Sequence, residues 1–147
     1  MTPEETETYL RTHIPLVEAM DVRVIEASPD KVVLGAPLAP NINHRDTLFG
    51  GSASAIAILA AWTRLHLGLS ALGTGYRLVI FRNEMTYERP VSGTFTVTSL
   101  AEDDSDWDRV FKMLTRHGKA RLIANATLDY EGEIAGRLEA EFVALKY

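Results

Sequence analysis

The chain predicts an α+β domain in which one curved, largely antiparallel sheet wraps a long central helix. Three features carry that expectation. Residues 53–67 read as helix with almost no polar side, since Ala53, Ala55, Ile56, Ala57, Ile58, Leu59, Ala60 and Ala61 cover every face, and a helix that is apolar all round must be enclosed by other elements. Five or six β-rich runs lie around it in sequence, most of them joined by short turns, which favours antiparallel pairing. At 147 residues the chain supports one sizeable core and is too short for two ordinary ones, so residues 1–147 are expected to form a single domain.

Each element has a local reason. Thr2 with Glu5 makes a capping box and Pro3 suits the first helical position, so a short helix begins there, with Tyr9, Leu10 and Ile14 on one side. Pro15 interrupts it, and residues 16–20 add one more turn. Residues 22–27 and 31–36 are β-rich runs around Ser28-Pro29-Asp30, a hairpin with good turn chemistry. A polar loop over residues 40–48 then leads into the central helix, and residues 69–76 read as a glycine-punctuated connection. Residues 77–87 alternate as a strand, with Val79, Phe81, Asn83, Met85 and Tyr87 on the more apolar face and Leu78, Ile80, Arg82, Glu84 and Thr86 on the other. Pro90 to Gly93 is a turn, residues 94–101 a strand and residues 102–106 an acidic loop. Ser105 or Asp106 would cap a helix over residues 107–116, closed by Gly118. Strands at 120–130 and 134–145 flank Glu131-Gly132-Glu133 as a final hairpin. Open edges of such a sheet are commonly protected by pairing with a second copy.

Composition narrows the function. Without cysteine there is no thiolate nucleophile, disulfide or Cys-based metal site. His13, His44, His66 and His117 lack a His-x-x-x-His spacing, so no metal site is expected. A net charge of −5 argues against a nucleic-acid surface. The acidic start Met1-Thr2-Pro3-Glu4-Glu5 does not resemble a signal peptide. The longest apolar stretch, residues 53–62, is well short of the roughly 20 residues of a membrane span. A cytoplasmic protein with no membrane partner is the expectation.

The densest chemistry lies in Asn41-Ile42-Asn43-His44-Arg45-Asp46-Thr47-Leu48-Phe49-Gly50-Gly51-Ser52. A polar turn there runs into a double glycine that opens the apolar helix. Glycines let another group approach the backbone closely. The first turn of a helix leaves amide N–H groups unpaired and carries partial positive charge, which suits a carbonyl oxygen that becomes negative during acyl transfer. A tight helix entry or a packing contact is the alternative for the same glycines. No Gly-x-Ser-x-Gly elbow is present, so a serine triad is not indicated.

In the order of its elements, along nearly the whole chain, the sequence resembles the hot-dog-fold thioesterases. More specifically, it resembles the thioesterase-like domain that in some bacteria is fused behind an N-acetyltransferase domain. Pro37-Leu38, Asn41 with Asn43, and Thr47-Leu48-Phe49-Gly50-Gly51-Ser52 meet that family's pattern, as do Tyr87-Glu88-Arg89-Pro90-Val91 and Gly118-Lys119-Ala120-Arg121. The free-standing form of that domain is the expectation. The resemblance implies a hot-dog fold, an active site at a homodimer (or higher homo-oligomer) interface, and hydrolysis of an acyl-CoA or acyl-carrier-protein thioester. It implies no cofactor beyond the coenzyme A moiety of the substrate. Many such enzymes carry Asp or Glu nine residues beyond the position of Phe49; here that position is Ile58, and no carboxylate occurs between Phe49 and Ser70.

The candidate catalytic residues are therefore Gly50 and Gly51, whose amides would polarise the carbonyl, Asn43, which would position reactants, and His44 or Asp46 as the base. Asp46 stands where such loops often have glycine, so it equally suits a left-handed turn. His44 equally suits an exposed loop position. Phe49, Ser52, Asn83 and Tyr87 are candidate substrate-binding residues, and Lys119, Arg121 and Arg89 are candidates for the phosphates of coenzyme A or simply solvated side chains. Thr63 and His66 would line an acyl tunnel or pack, and Glu84 is a spare carboxylate. Two other classes stay open: a non-catalytic acyl-CoA or lipid binding module that has lost the helix acid, and a dehydratase acting on hydroxyacyl thioesters.

Overall fold

The computed structural model describes residues 1–102 and 107–147. In chain order the elements are α1 (Pro3–His13), α2 (Pro15–Ala19), β1 (Arg23–Ala27), β2 (Lys31–Ala36), a 3-10 turn (Ala39–Asn41), α3 (Gly50–Leu72), β3 (Tyr76–Tyr87), β4 (Phe95–Leu100), α4 (Trp107–His117), β5 (Lys119–Tyr130) and β6 (Glu133–Lys146). The strands form one antiparallel sheet in the order β1-β2-β4-β5-β6-β3. Its inner side holds α3, and Ile56, Ala57, Ala60 and Ala61 are sealed against Leu34, Val97, Leu138 and Phe142. The expected helix wrapped by a curved sheet is what forms.

Local chemistry acts as anticipated at the ends. Thr2 accepts from the Glu5 amide while Glu5 accepts from the Thr2 amide, completing the box. Ser28 holds the first hairpin by accepting from the amides of Asp30 and Lys31. Glu131 and Gly132 both take positive φ, 51° and 78°, the geometry of a two-residue hairpin loop between β5 and β6. A cap at Ser105 or Asp106 lies outside the described residues.

Two expectations need correction. The central helix does not stop at residue 67 but runs on to Leu72, so the connection shrinks to residues 73–75. Gly68 does not break it, because the Trp107 ring lies directly over that glycine and any Cβ would overlap it. The helix ends where Gly73 and Gly75 take φ of 140° and 85°. With 23 residues, α3 has the length and hydropathy of a membrane span, yet it is the core helix, over half buried within the sheet.

The faces of β3 also differ from strict alternation. A bulge between Ile80 and Arg82 changes the register against β6, so Leu78 and Ile80 before it share a side with Asn83, Met85 and Tyr87 after it, opposite the buried Ala144, Phe142, Ala140 and Leu138 and, for Tyr87, Gly136. Val79 and Phe81 consequently point outward, 45% and 44% exposed, and the Arg121 guanidinium lies over the Phe81 ring.

β4 pairs with β5 only over residues 96–98, and α4 covers the remainder of β5 through Val110 and Leu114. Arg64, 1% exposed, spans the interior to donate to Ser99 Oγ and to the Pro29 carbonyl, tying α3 to β4 and to the first turn. Burial lowers its pKa, opposed by the charges of Glu102 and Asp30. Thr63 is likewise buried.

On the other side of α3, His66 is stacked between Tyr9 of α1 and Trp62, with centroids at 5.2 and 4.6 Å, while His13 stacks on the far face of Tyr9 at 4.2 Å. Burial first and the nearby His13 second depress the His66 pKa below its ordinary 6.5. The unfolded chain therefore takes up a proton at higher pH than the folded one, and this residue's contribution to stability is full above about 6.5 and is lost as pH falls through the folded value. A His66→Gln variant should show a shallower fall in melting temperature between about pH 7 and pH 5 than the parent; identical slopes would remove His66 from the acid response.

Candidate active site

The site is built from the entry to α3. Phe49 is the N-cap residue, with φ −64° and ψ 131°, and being apolar it supplies no capping hydrogen bond. The first helical bond runs from the Ala53 amide to the Phe49 carbonyl. The amides of Gly50, Gly51 and Ser52 therefore precede the helical ladder, and among the described residues none of them finds an acceptor. Ser, Thr, Asp or Asn at the cap would satisfy one of them internally. An apolar cap leaves three parallel donors, at the positive end of a 23-residue helix dipole, open to an anion.

Both glycines have close neighbours. The Tyr87 hydroxyl donates to the Gly50 carbonyl at 3.0 Å, and its ring sits 3.5 Å from where a Gly50 Cβ would be. At Gly51 a Cβ would overlap the ring of Phe49, which folds back over the helix start while remaining 55% exposed. The groups admitted by the double glycine are thus two aromatic rings of the site itself.

The preceding loop is held from both sides. Asn43 accepts from the amides of Arg45 and Thr47 and donates to Thr47 Oγ1 and the Leu48 carbonyl, so its whole amide serves the turn. Asp46 takes φ of 62°, the left-handed conformation its place in the loop suggests. Asp46 and His44 are both exposed at the loop surface. Asn41, 2% exposed, donates to the Met20 and Pro37 carbonyls, and its backbone carbonyl receives the Phe49 amide. The Leu48 amide donates to the carbonyl of Val91, which is itself buried. Thus the Thr47 to Ser52 motif and the Tyr87 to Val91 motif meet at one place.

Beside them opens a cavity of about 340 Å³ between the start of α3 and the ends of β3, β5 and β6. Leu48, Gly50, Ala53, Met85, Tyr87 and Gly136 line it, with Glu88 and Arg89 at its polar side. Glu88 is paired with Arg137 at 3.0 Å, and Arg89 with Glu133 at 2.7 Å and the Tyr130 carbonyl. Met85, Glu88 and Gly136 were not among the site candidates, although Met85 was read on the strand's apolar face and Glu88 lies in the Tyr87 to Val91 motif. Glycine inside a strand is the signal that marks such a close approach.

The other candidates lie elsewhere in this chain. Lys119 and Arg121 begin β5, whereas Leu128 of the cavity is seven to nine residues further along it, about 23–30 Å away at strand rise. Asn83 and Glu84 are exposed on β3, while Thr63 and His66 belong to the packing further down α3. Ile58 is half-buried on α3 and packs against the core. Among the described residues no group of His, Asp or Glu is placed to hold a metal ion.

Residues 4–146 match the protein family described as "Putative thioesterase (yiiD_Cterm)". Among solved structures, a protein of unknown function from Chlorobaculum tepidum TLS shares the fold at TM-score 0.90 and 26% identity, over 99% of this chain and 98% of that one. A protein from Shewanella oneidensis named a putative thioesterase matches at TM-score 0.86 and 24% identity, over 97% and 96% of the two chains. A thioesterase from Haemophilus influenzae matches at 0.79 and 13%, over 99% and 92%. Since the family match runs through almost the whole sequence and both motifs converge on the entry to α3, the chain belongs to this putative-thioesterase family of the hot-dog superfamily.

Proposed function

We propose that the protein hydrolyses an acyl thioester, carried by coenzyme A or by an acyl-carrier protein, at the entry to α3. The observation that carries this reading is the row of unpaired Gly50, Gly51 and Ser52 amides beneath an apolar cap and beside a cavity of suitable size. The thioester carbonyl oxygen sits on the Gly50 and Gly51 amides, the acyl chain enters the cavity, and water attacks the carbonyl carbon. His44 or Asp46 on the loop takes the proton from that water as the tetrahedral intermediate forms, and the oxyanion gains the full benefit of donors already in place. Collapse of the intermediate re-forms the carbonyl and breaks the C–S bond, and the thiolate leaves with the proton taken from water, giving the free acid and the thiol. The family gives thioester chemistry as its general activity; the choice between the two carriers belongs to this proposal.

A homodimer completes the site in this reading. The β1 edge is covered by α1 at Val24, whose amide donates to the Glu7 carboxylate at 2.8 Å. β3 lies at the other end of the strand order with twelve residues, and beside it Ala55, Ile58 and Trp62 form a stripe on α3 that its own chain only half buries. An open edge next to an uncovered apolar stripe is suited to a second copy. Antiparallel pairing of two β3 strands centred on Asn83 sets Arg82 of each against Glu84 of the other. The bulge takes up one residue, so Leu78 then faces Tyr87 of the opposite chain. Because Leu78 aligns with Ala144 and Ala144 with Ala120, Arg121 beside it in the second copy comes to roughly three strand spacings, about 14 Å, from Tyr87. That is where the phosphates of a coenzyme A bound across the interface would find it, with Lys119 beyond.

One observation favours a second reading. Ile58 occupies the helix position at which related enzymes carry a carboxylate, and an acyl-CoA or lipid binding module would keep the amides and cavity without that acid. Turnover decides between them. Gly50→Pro removes one amide at the first helical position, where proline is favoured, after a residue already in the extended conformation that proline requires. It should lower kcat/KM by about 10²–10³ with little change in melting temperature. Gly51→Val should abolish turnover by displacing the exposed Phe49 ring while the domain stays folded. Normal rates in both variants would overturn the oxyanion assignment, and tight acyl-CoA binding without thiol release would establish the binding module.

The interface is tested separately by sedimentation. Arg82→Glu and Glu84→Arg should each weaken the dimer and lower activity together, and the double exchange should recover much of both. A fully active monomer would sink the shared site.

A further inference from the structure

We infer that Met85 is the adjustable wall that sets the acyl-chain length accepted by the cavity at the entry to α3, with Gly136 as the space into which it folds. This rests on the thioesterase reading only for the identity of the chain that enters.

At about 340 Å³ the cavity is near the lower end of the range for small-molecule sites, so it takes an acyl end of short to medium length rather than a whole nucleotide. Its walls differ in their freedom. Ala53, Ala135 and Gly136 are small and have nothing to retract. Val91 and Leu128, 3% and 2% exposed, are locked in the core. Leu48 and Met85 are both long and partly buried, but Leu48 is branched and its backbone is tied to Val91, whereas Met85 is an unbranched thioether with three rotatable bonds that adapts to what lies beside it.

The position of its methyl shows how it closes the space. A Cβ on Gly136 would lie 2.9 Å from Met85 Cε and 3.2 Å from the Thr86 carbonyl oxygen, so the methyl of Met85 occupies the volume that a side chain at 136 would take. Tyr87 is two residues further along β3 and holds the Gly50 carbonyl, while Met85 pairs in register with Leu138 and Tyr87 with Gly136. Gate and carbonyl site are therefore carried on one strand face, two residues apart. A chain whose thioester is seated on the Gly50 amides runs past Tyr87 towards Met85.

The test uses straight-chain acyl-CoAs from acetyl to palmitoyl for hydrolysis and the matching S-alkyl-CoA thioethers, which cannot be hydrolysed, for affinity. Met85→Ala removes three heavy atoms and should move both preferences to chains longer by about two to three methylenes, each additional seated methylene tightening binding about fourfold. Met85→Phe should move both to shorter chains. The two substitutions change the wall in opposite senses, so a general loss of folding cannot imitate the pair of shifts. If thiol is never released but thioether affinities shift in these directions, the hydrolytic reading fails and the gate stands. Unchanged chain preference in both variants, in hydrolysis and in binding alike, would overturn the assignment of Met85.

Discussion

The enclosure of α3 governs the rest of the molecule. Between residues 53 and 62 this helix has almost no polar side, and leaving such a surface in water would cost about 25 cal/mol for every Å² of it. The sheet wraps it, and Arg64 and Trp107 fasten its second half to β4 and α4. A helix held on its sides still has two ends, and those must reach the boundary of the domain. The amide end emerges where β3 and β5 finish and β6 begins, and what binds there meets a dipole that packing has already oriented. The donors require no reorganisation when charge develops on a substrate, which is the condition under which oxyanion stabilisation is large.

The loop before the helix extends the same principle to its approach. Asn43 closes a short turn through its own amide, and Asn41 and Val91 anchor the two residues before Gly50 through backbone bonds. Tyr87 then fixes the Gly50 carbonyl from the opposite side. Each of these residues holds the chain at the helix entry. Their combined effect is to aim the Gly50 and Gly51 amides, and the polar crowding around a buried helix start is explained largely by that task.

How much of this was legible depends on whether the responsible force is local. Caps, turns and the apolar run are short-range, and Thr2, Glu5, Asp46 and the Ser28 turn behave as their types suggest. The helix end was read too early, since its continuation past Gly68 involves a contact with Trp107 that is distant in sequence. The β3 faces were misassigned because strict alternation cannot foresee a bulge that serves the sheet's curvature. At the site, Gly50 and Gly51 are legible as a helix entry, and the convergence of two motifs is not, since it needs β3 folded beside α3. Met85 escaped notice for a related reason: an isolated methionine in a strand reads as core until the glycine opposite it is known.

Ile58 brings these levels together. A carboxylate acting as base contributes about 10²–10⁴ in rate, and one preorganised oxyanion donor about 10²–10³, so the two devices are of comparable size. An apolar residue at that place gives up the first and leaves the second. Electrostatic interactions strengthen as the local dielectric falls, and Ile58 belongs to the half-buried Ala55, Ile58 and Trp62 stripe beside β3. A second copy laid over that stripe would dry the approach to the amides, leaving the loop as the route for water. In the proposed reaction the helix end and a low dielectric would carry the work for which a carboxylate at the Ile58 position is absent.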